Sequence, residues 1–274
     1  MSELVKRIGV AVILIPATVF LTVYENTVPF AAGVYILVLL GNRELVSLFR
    51  RAGEPVTPAI SWLGAIIIPL SFYFTGARWF HFTFVLAAVV TIVFIAKLFS
   101  ANPVDDVIRY VSVNIFAALF LPLMASFIWL LRDKPGGAHW LLYLFVAVWA
   151  SDALAYFFGS KFGRRKIVPK VSPNKSLEGF LAGIIGGVAI AALFYYLFVS
   201  RFTDLSALKL IIMSADVVAA GILGDLFESM LKRNANVKNS GDLFPGHGGA
   251  LDRLDSLLFA APVLYIYLTI WGVL

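Results

Sequence analysis

Residues 179–200 read GFLAGIIGGVAIAALFYYLFVS, twenty-two positions without one charged side chain. A helix rising 1.5 Å per residue needs about 20 apolar positions to cross the ~30 Å hydrocarbon layer of a bilayer, so this run predicts a transmembrane helix. Working outward, comparable apolar segments lie at 8–24, 28–48, 58–75, 80–98, 111–131, 139–158, 207–230 and 256–273. Together they predict an all-α, polytopic integral membrane protein with about nine transmembrane helices. Bulk composition agrees: of 274 residues 61% are hydrophobic and 14% charged, and the mean hydropathy is +0.91. A soluble domain carries roughly 25% charged residues. The first segment follows Lys6 and Arg7 as in a signal peptide, but it lacks a small-residue cleavage site and another apolar run follows at once. It is expected to remain as the first span.

Charge sorts the connecting loops. With the N-terminus in the cytoplasm, 17 Lys and Arg residues fall on the inner side and 5 on the outer, as the positive-inside rule requires. The two most basic loops, 159–178 and 231–255, then face the same compartment, and a bacterial inner membrane with a cytoplasmic site is the expected setting. The net charge of +6 is scattered among these loops rather than gathered in a groove, which argues against nucleic acid and for headgroups and phosphates. The absence of cysteine removes thiolate catalysis and Cys-ligated zinc. Residues 1–135 read as scaffold and lipid-access helices, and 136–274 as the catalytic region, because Gly, Asp, Lys and Ser concentrate late in the chain.

Three stretches carry chemistry. In the run from Gly224 to Arg233, Asp225, Glu228, Ser229 and Lys232 share one helix face at offsets of three, four and seven. Acids beside hydrocarbon usually face a polar cavity or a partner; the structural alternative is a salt-bridged face ending a span. Between Lys238 and Ser256, Gly246, Gly248 and Gly249 allow backbone N–H groups to approach a phosphate. Asp252 and Asp255 stand one turn apart at the start of the last span. Such hard oxygen donors suit Mg²⁺, with room for a second cation; a Pro-Gly turn followed by an acidic helix start is the alternative. His247 has no second histidine at metal-ligand spacing, so it reads as a phosphate donor or an ordinary loop residue. The third stretch places Asp152, Tyr156, Gly159 and Gly163 on one stripe, followed by six cations and Ser172-Pro173-Asn174-Lys175-Ser176-Leu177-Glu178-Gly179. Those cations would attract polyphosphate and anionic headgroups, or simply mark the inner side. Asp216 falls on the face opposite Asp225 and is kept as a proton or packing residue. Acids, a glycine-bearing loop and lysines on one side, without a Ser-His-Asp set, describe metal-assisted phosphoryl or nucleotidyl transfer better than hydrolysis.

The stretch Ser229 to Asp255 resembles the signature of the phosphatidate cytidylyltransferase (CDP-diacylglycerol synthase) family: Ser-x-x-Lys-Arg, Lys after four intervening residues, then Pro-Gly-His-Gly-Gly-x-x-Asp-Arg-x-Asp. Ser151-Asp152-Ala153 with Tyr156, and Ser172 to Gly179, are similar to further segments of that family, so the resemblance covers about residues 145–260. The family usually has Lys-Asp where this chain has Lys238-Asn239 and a larger apolar residue at Ala250; Asn239 is expected to be peripheral. The resemblance implies transfer of the cytidylyl group of CTP to phosphatidic acid, giving CDP-diacylglycerol and pyrophosphate. It implies Mg²⁺ held by Asp225 and Asp252 with help from Asp255, and phosphate charge met by Lys175, Lys232, Arg233, Lys238 and Arg253. Gly246, His247, Gly248 and Gly249 would shape the pocket, Asp152 and Tyr156 would support it, and Ser176, Ser229 and Ser256 would donate hydrogen bonds. Membrane lipids, and a second copy in a homodimer, are the remaining expected partners. The competing readings are an enzyme acting on another lipid phosphate or a polyprenol, and an ion-coupled transporter using Asp152, Asp216, Asp225 and Glu228 as intramembrane acids.

Overall fold

The computed structural model describes residues 3–75, 79–201, 203–244 and 248–274. Among them are nine α-helices: α1 (Glu3–Val23), α2 (Val28–Arg51), α3 (Pro58–Thr75), α4 (Trp79–Leu98), α5 (Val107–Arg132), α6 (Gly137–Phe162), α7 (Leu177–Phe194), α8 (Ala207–Asn234) and α9 (Leu251–Ile270). One π-helical turn, Tyr195–Val199, prolongs α7. Seven helices are long and apolar enough to cross a membrane, namely α2, α3, α5, α6, α7 with its π turn, α8 and α9; α1 and α4 contribute the shorter apolar stretches Val12–Val23 and Thr83–Leu98. The protein is an all-α polytopic membrane protein. Only helices and closed barrels satisfy every backbone hydrogen bond without water.

Local sequence sets the ends. Pro58 opens α3, where its missing N–H costs nothing. Past α2, Gly53 adopts φ 72°, and Glu54 N–H reaches back to the Phe49 carbonyl (2.9 Å). Asn236, at φ 55°, does the same beyond α8, with Val237 N–H donating to the Lys232 carbonyl (2.9 Å). Both are left-handed C-terminal caps. The second carries α8 four residues past the apolar run, so that Lys232 and Arg233 are helical.

The chain divides into two compact units. The first comprises Met1–Leu14, Val28–Leu130 and Leu231–Arg253. Its core holds Val38, Leu45, Ala65, Ile68, Ala117, Ala118 and Leu121. Helices α3 and α5 approach so closely at Gly64 that a Cβ there would overlap the Ala118 carbonyl. Polar contacts join distant parts of this unit: Ser61 Oγ donates to Asn42 Oδ1 (2.7 Å) and Thr57 N–H to Asn114 Oδ1 (2.7 Å), while Asn42 Nδ2 is buried without a hydrogen-bond partner among the described residues. Where it is made, such pairing offsets the cost of holding a polar group away from water.

The second unit comprises Ile15–Thr27, Leu131–Met230 and Leu254–Leu274. Here α6 and α7 meet through small residues; a Cβ built on Gly183 would stand 3.0 Å from Ala155 Cβ and 3.1 Å from the Ser151 carbonyl. Small side chains let the backbones close up, the usual solution where lipid removes any hydrophobic drive between helices. Tyr143 Oη and Ser214 Oγ, 2.7 Å apart, join α6 to α8. Tyr195 Oη donates to the Thr203 carbonyl (2.6 Å) and accepts from Leu205 N–H (2.8 Å), fastening the turn into α8. Helices α8 and α9 touch at Gly224, where a Cβ would overlap the Asp255 carbonyl.

Candidate functional site

Each unit gathers its own set of the residues singled out above. In the second unit, Lys175 Nζ lies 2.6 Å from Asp225 Oδ2, and Ser229 Oγ donates to Asp225 Oδ1 (3.4 Å). The side chains are 27% exposed for Lys175 and 31% for Asp225, but the Lys175 ammonium nitrogen is itself buried, so the carboxylate is the more accessible member of the pair. Lys175 is carried there by a short folded loop. Lys166 and Ser176 form an isolated bridge, Ile167 N–H donates to the Lys175 carbonyl (3.2 Å), and Glu178 accepts from the backbone N–H of Arg164 (3.0 Å) and Arg165. Ser176 caps α7, its hydroxyl accepting from Gly179 N–H (3.2 Å). That role explains its burial and, since the hydroxyl oxygen accepts, leaves its O–H to donate elsewhere. The Gly224 contact sets the helical turn of Asp225 against the turn of Asp255, whose Oδ1 accepts from Ser256 N–H (2.7 Å). Ser256 and Glu228 are buried. Asp152 and Tyr156 both lie on exposed positions of α6, Tyr156 at 80%. Asp216 accepts from Tyr267 Oη, a pairing of α8 with α9.

In the first unit, Asp252 is a hub. Its Oδ1 accepts from Lys232 Nζ (2.6 Å), while Oδ2 accepts from Ser240 N–H (2.9 Å), Ser240 Oγ (2.8 Å) and Gly249 N–H (2.8 Å). The Lys232 and Asp252 side chains are only 11% and 9% exposed. Gly248 sits at φ 80° with no room for a Cβ beside the Asp252 carboxylate, and Phe244 N–H donates to its carbonyl (2.8 Å). Gly246 and His247 lie outside the described residues. Arg233 Nη1 donates to the Val237 carbonyl (3.0 Å); Lys238, Asn239 and Arg253 are exposed.

Sequence reasoning missed Glu44 and gave Ser240 no role. Glu44, on α2, accepts from Ala250 N–H (2.9 Å), Leu251 N–H (2.9 Å) and Ser240 Oγ (2.7 Å). The available signal was a lone acid in the polar triplet Asn42-Arg43-Glu44 inside an apolar run.

Among the described residues no group of three or more His, Cys, Asp or Glu side chains forms a ready-made metal cage. The donors present are nevertheless carboxylates alone, and Mg²⁺ is commonly bound by one or two carboxylates together with substrate phosphates. The half-open Asp225 fits that pattern. Asp252, with both oxygens engaged, would first have to release a donor.

Among known proteins, residues 5–271 match the model of the cytidylyltransferase family, and the chain belongs to that family. Among its relatives, the phosphatidate cytidylyltransferase of Haemophilus influenzae is 43% identical over 175 residues, 63% of this chain and 60% of that protein. Proteins of the same name from Thermotoga maritima and Bacillus subtilis are 43% identical over 162 residues (58% of this chain, 56% of the relative) and 40% identical over 136 residues (50% and 49%). The matched stretches therefore span between about half and three-fifths of these relatives' length.

Proposed function

We propose that this protein transfers the cytidylyl group of CTP to phosphatidic acid, releasing pyrophosphate and forming CDP-diacylglycerol in the membrane. One observation carries the reading: the Lys232–Asp252 pair lies beneath the Gly248–Gly249 turn in a chain that belongs to the cytidylyltransferase family and resembles proteins named phosphatidate cytidylyltransferase. A phosphate oxygen of the lipid attacks the α-phosphorus of CTP. A new P–O bond forms as the bond from that phosphorus to the bridging oxygen breaks, and pyrophosphate leaves with the electron pair. The lipid is the nucleophile, so no activated serine or cysteine is required.

Catalysis of this kind rests on positioning and on neutralising charge. Lys175 and Lys232, each paired with an aspartate, would meet phosphate oxygens once released from those pairs, with Arg233, Lys238 and Arg253 as exposed outer charges. Backbone N–H groups of the Gly246 to Gly249 turn, with His247, would line the phosphates. Asp225, Asp252 and Asp255 are the carboxylates that would engage Mg²⁺, which supplies Lewis-acid neutralisation of the triphosphate when bound. Ser229 steadies Asp225. Asp152 and Tyr156, on exposed positions of α6, are assigned to the lipid side. The chemistry is assigned to the cytoplasmic face of a bacterial inner membrane, a reading that the charge of the basic loops supports. Purified protein in detergent, given CTP, Mg²⁺ and a panel of lipid phosphates, should release pyrophosphate fastest with phosphatidic acid; preference for a polyprenyl phosphate, or no release with any of them, would overturn the assignment.

A further inference from the structure

The second helix of the chain, far in sequence from every motif residue, carries Glu44 in its last two turns, against Ser240 and the start of α9. Glu44 is fixed there by its neighbours: Leu45 is fully buried, and Gly41 stands one turn earlier with its Cβ position 3.8 Å from Leu251 N. Its carboxylate takes the first two N–H groups at the start of α9, those of Ala250 and Leu251, and the hydroxyl of Ser240. These are donors that a helix cannot satisfy internally, and a negative charge is favoured at that end. The fit dictates two glycines. A Cβ on Gly249 would overlap the Glu44 carboxylate, and one on Gly241 would come within 2.6 Å of Glu44 Oε1.

Ser240 ties this carboxylate to the motif. Its hydroxyl oxygen lies 2.7 Å from Glu44 and 2.8 Å from Asp252. A serine carries a single hydroxyl hydrogen and serves one of these acceptors at a time. Asp252 alone would make a poor latch, because turning to any ligand takes its Oδ2 away from Ser240 N–H, Ser240 Oγ and Gly249 N–H together. Glu44 has no such conflict, since all of its bonds go to the turn.

We propose that Glu44 is a positioning residue for the transfer reaction: from α2 it holds Ser240 against the Gly249–Leu251 start of α9 and takes over the Ser240 hydroxyl while Asp252 engages substrate. This rests on the cytidylyl-transfer reading above. The N-terminal helices thereby contribute directly to the geometry of the phosphate turn.

Glu44→Gln keeps the size of the side chain but puts an amide donor against N–H and O–H donors. Expected are a fall in kcat of at least about tenfold, the order set by losing charge-assisted hydrogen bonds, with KM for CTP and for phosphatidic acid changed less than about threefold. Backbone hydrogen exchange at Ala250 and Leu251 should accelerate while exchange in the core helices stays put. Gly249→Ala, which pushes the carboxylate aside without removing it, should reproduce both effects, and the double variant should be no worse than either single one. Glu44→Gln with kcat within about twofold of an active wild type overturns the proposal. So does a folded Gly249→Ala protein with wild-type kcat, should Glu44→Gln fail to fold. If the wild type transfers no cytidylyl group, the functional reading fails by itself. Exchange at the two amides then still decides whether Glu44 holds the turn: faster exchange in Glu44→Gln supports it, unchanged exchange refutes it.

Discussion

Replacing Asp252 by asparagine exchanges one oxygen for an NH₂ group, and the surroundings dictate where that group goes. Three donors converge on Oδ2 and one on Oδ1, so the remaining carbonyl oxygen belongs on the Ser240 and Gly249 side. The amide NH₂ then faces the Lys232 ammonium, across a gap that was 2.6 Å between opposite charges. With both side chains about nine-tenths buried, removing one partner of such a pair costs about 3–5 kcal/mol, because the other charge stays desolvated. Replacing Lys232 by methionine in the same protein removes the ammonium that the lost carboxylate had faced. The double variant should therefore recover part of the loss, with a coupling energy of about 2 kcal/mol or more. Thermal or denaturant unfolding in one detergent, run on wild type, Asp252→Asn, Lys232→Met and the double variant, measures it. A coupling below about 0.5 kcal/mol, the level of an exposed surface pair, would refute the view that this pair is a buried strut of the turn.

Asp225→Ala should abolish pyrophosphate release while leaving the protein inserted and folded, since Asp225 is part-exposed and bonded only to Lys175 and Ser229 in the contacts described; full activity would exclude it as an essential group. Ser176→Ala should cost about 1 kcal/mol of stability, the ordinary value of an N-cap, read as a lower unfolding midpoint. Gly64→Ala should destabilise by about 1–3 kcal/mol, because the added methyl meets the Ala118 backbone rather than a side chain that can move; an unchanged midpoint would contradict the close α3–α5 approach. Chelation with EDTA should stop turnover, and Mg²⁺ should restore it.

Most of the architecture was legible because lipid imposes a simple rule. An uncharged run such as 179–200 has no other stable fate than a helix, and the nine segments read from hydropathy correspond to the nine helices described. Their polar ends were less legible: α2 and α8 run on to Arg51 and Asn234, because left-handed caps at Gly53 and Asn236, rather than hydropathy, decide where they stop. Spacing within α8 placed Asp225 and Ser229 together, and the structure pairs them. Spacing within a helix could not reveal that Lys175 meets Asp225 or that Lys232 meets Asp252, since both pairs join distant segments. Glu44 was hidden for the same reason, its partners Ser240, Ala250 and Leu251 lying far along the chain. Ser176 shows a local role that the motif did not announce: its hydroxyl oxygen caps α7.

The most direct test follows the phosphorus atoms. CTP labelled with ³²P at the α position should deliver its label to chloroform-soluble lipid when phosphatidic acid and Mg²⁺ are supplied, and CTP labelled at the γ position should leave its label in water-soluble pyrophosphate, one for each lipid formed. Label from the γ position appearing in lipid, or no α label reaching lipid at all, would contradict nucleotidyl transfer.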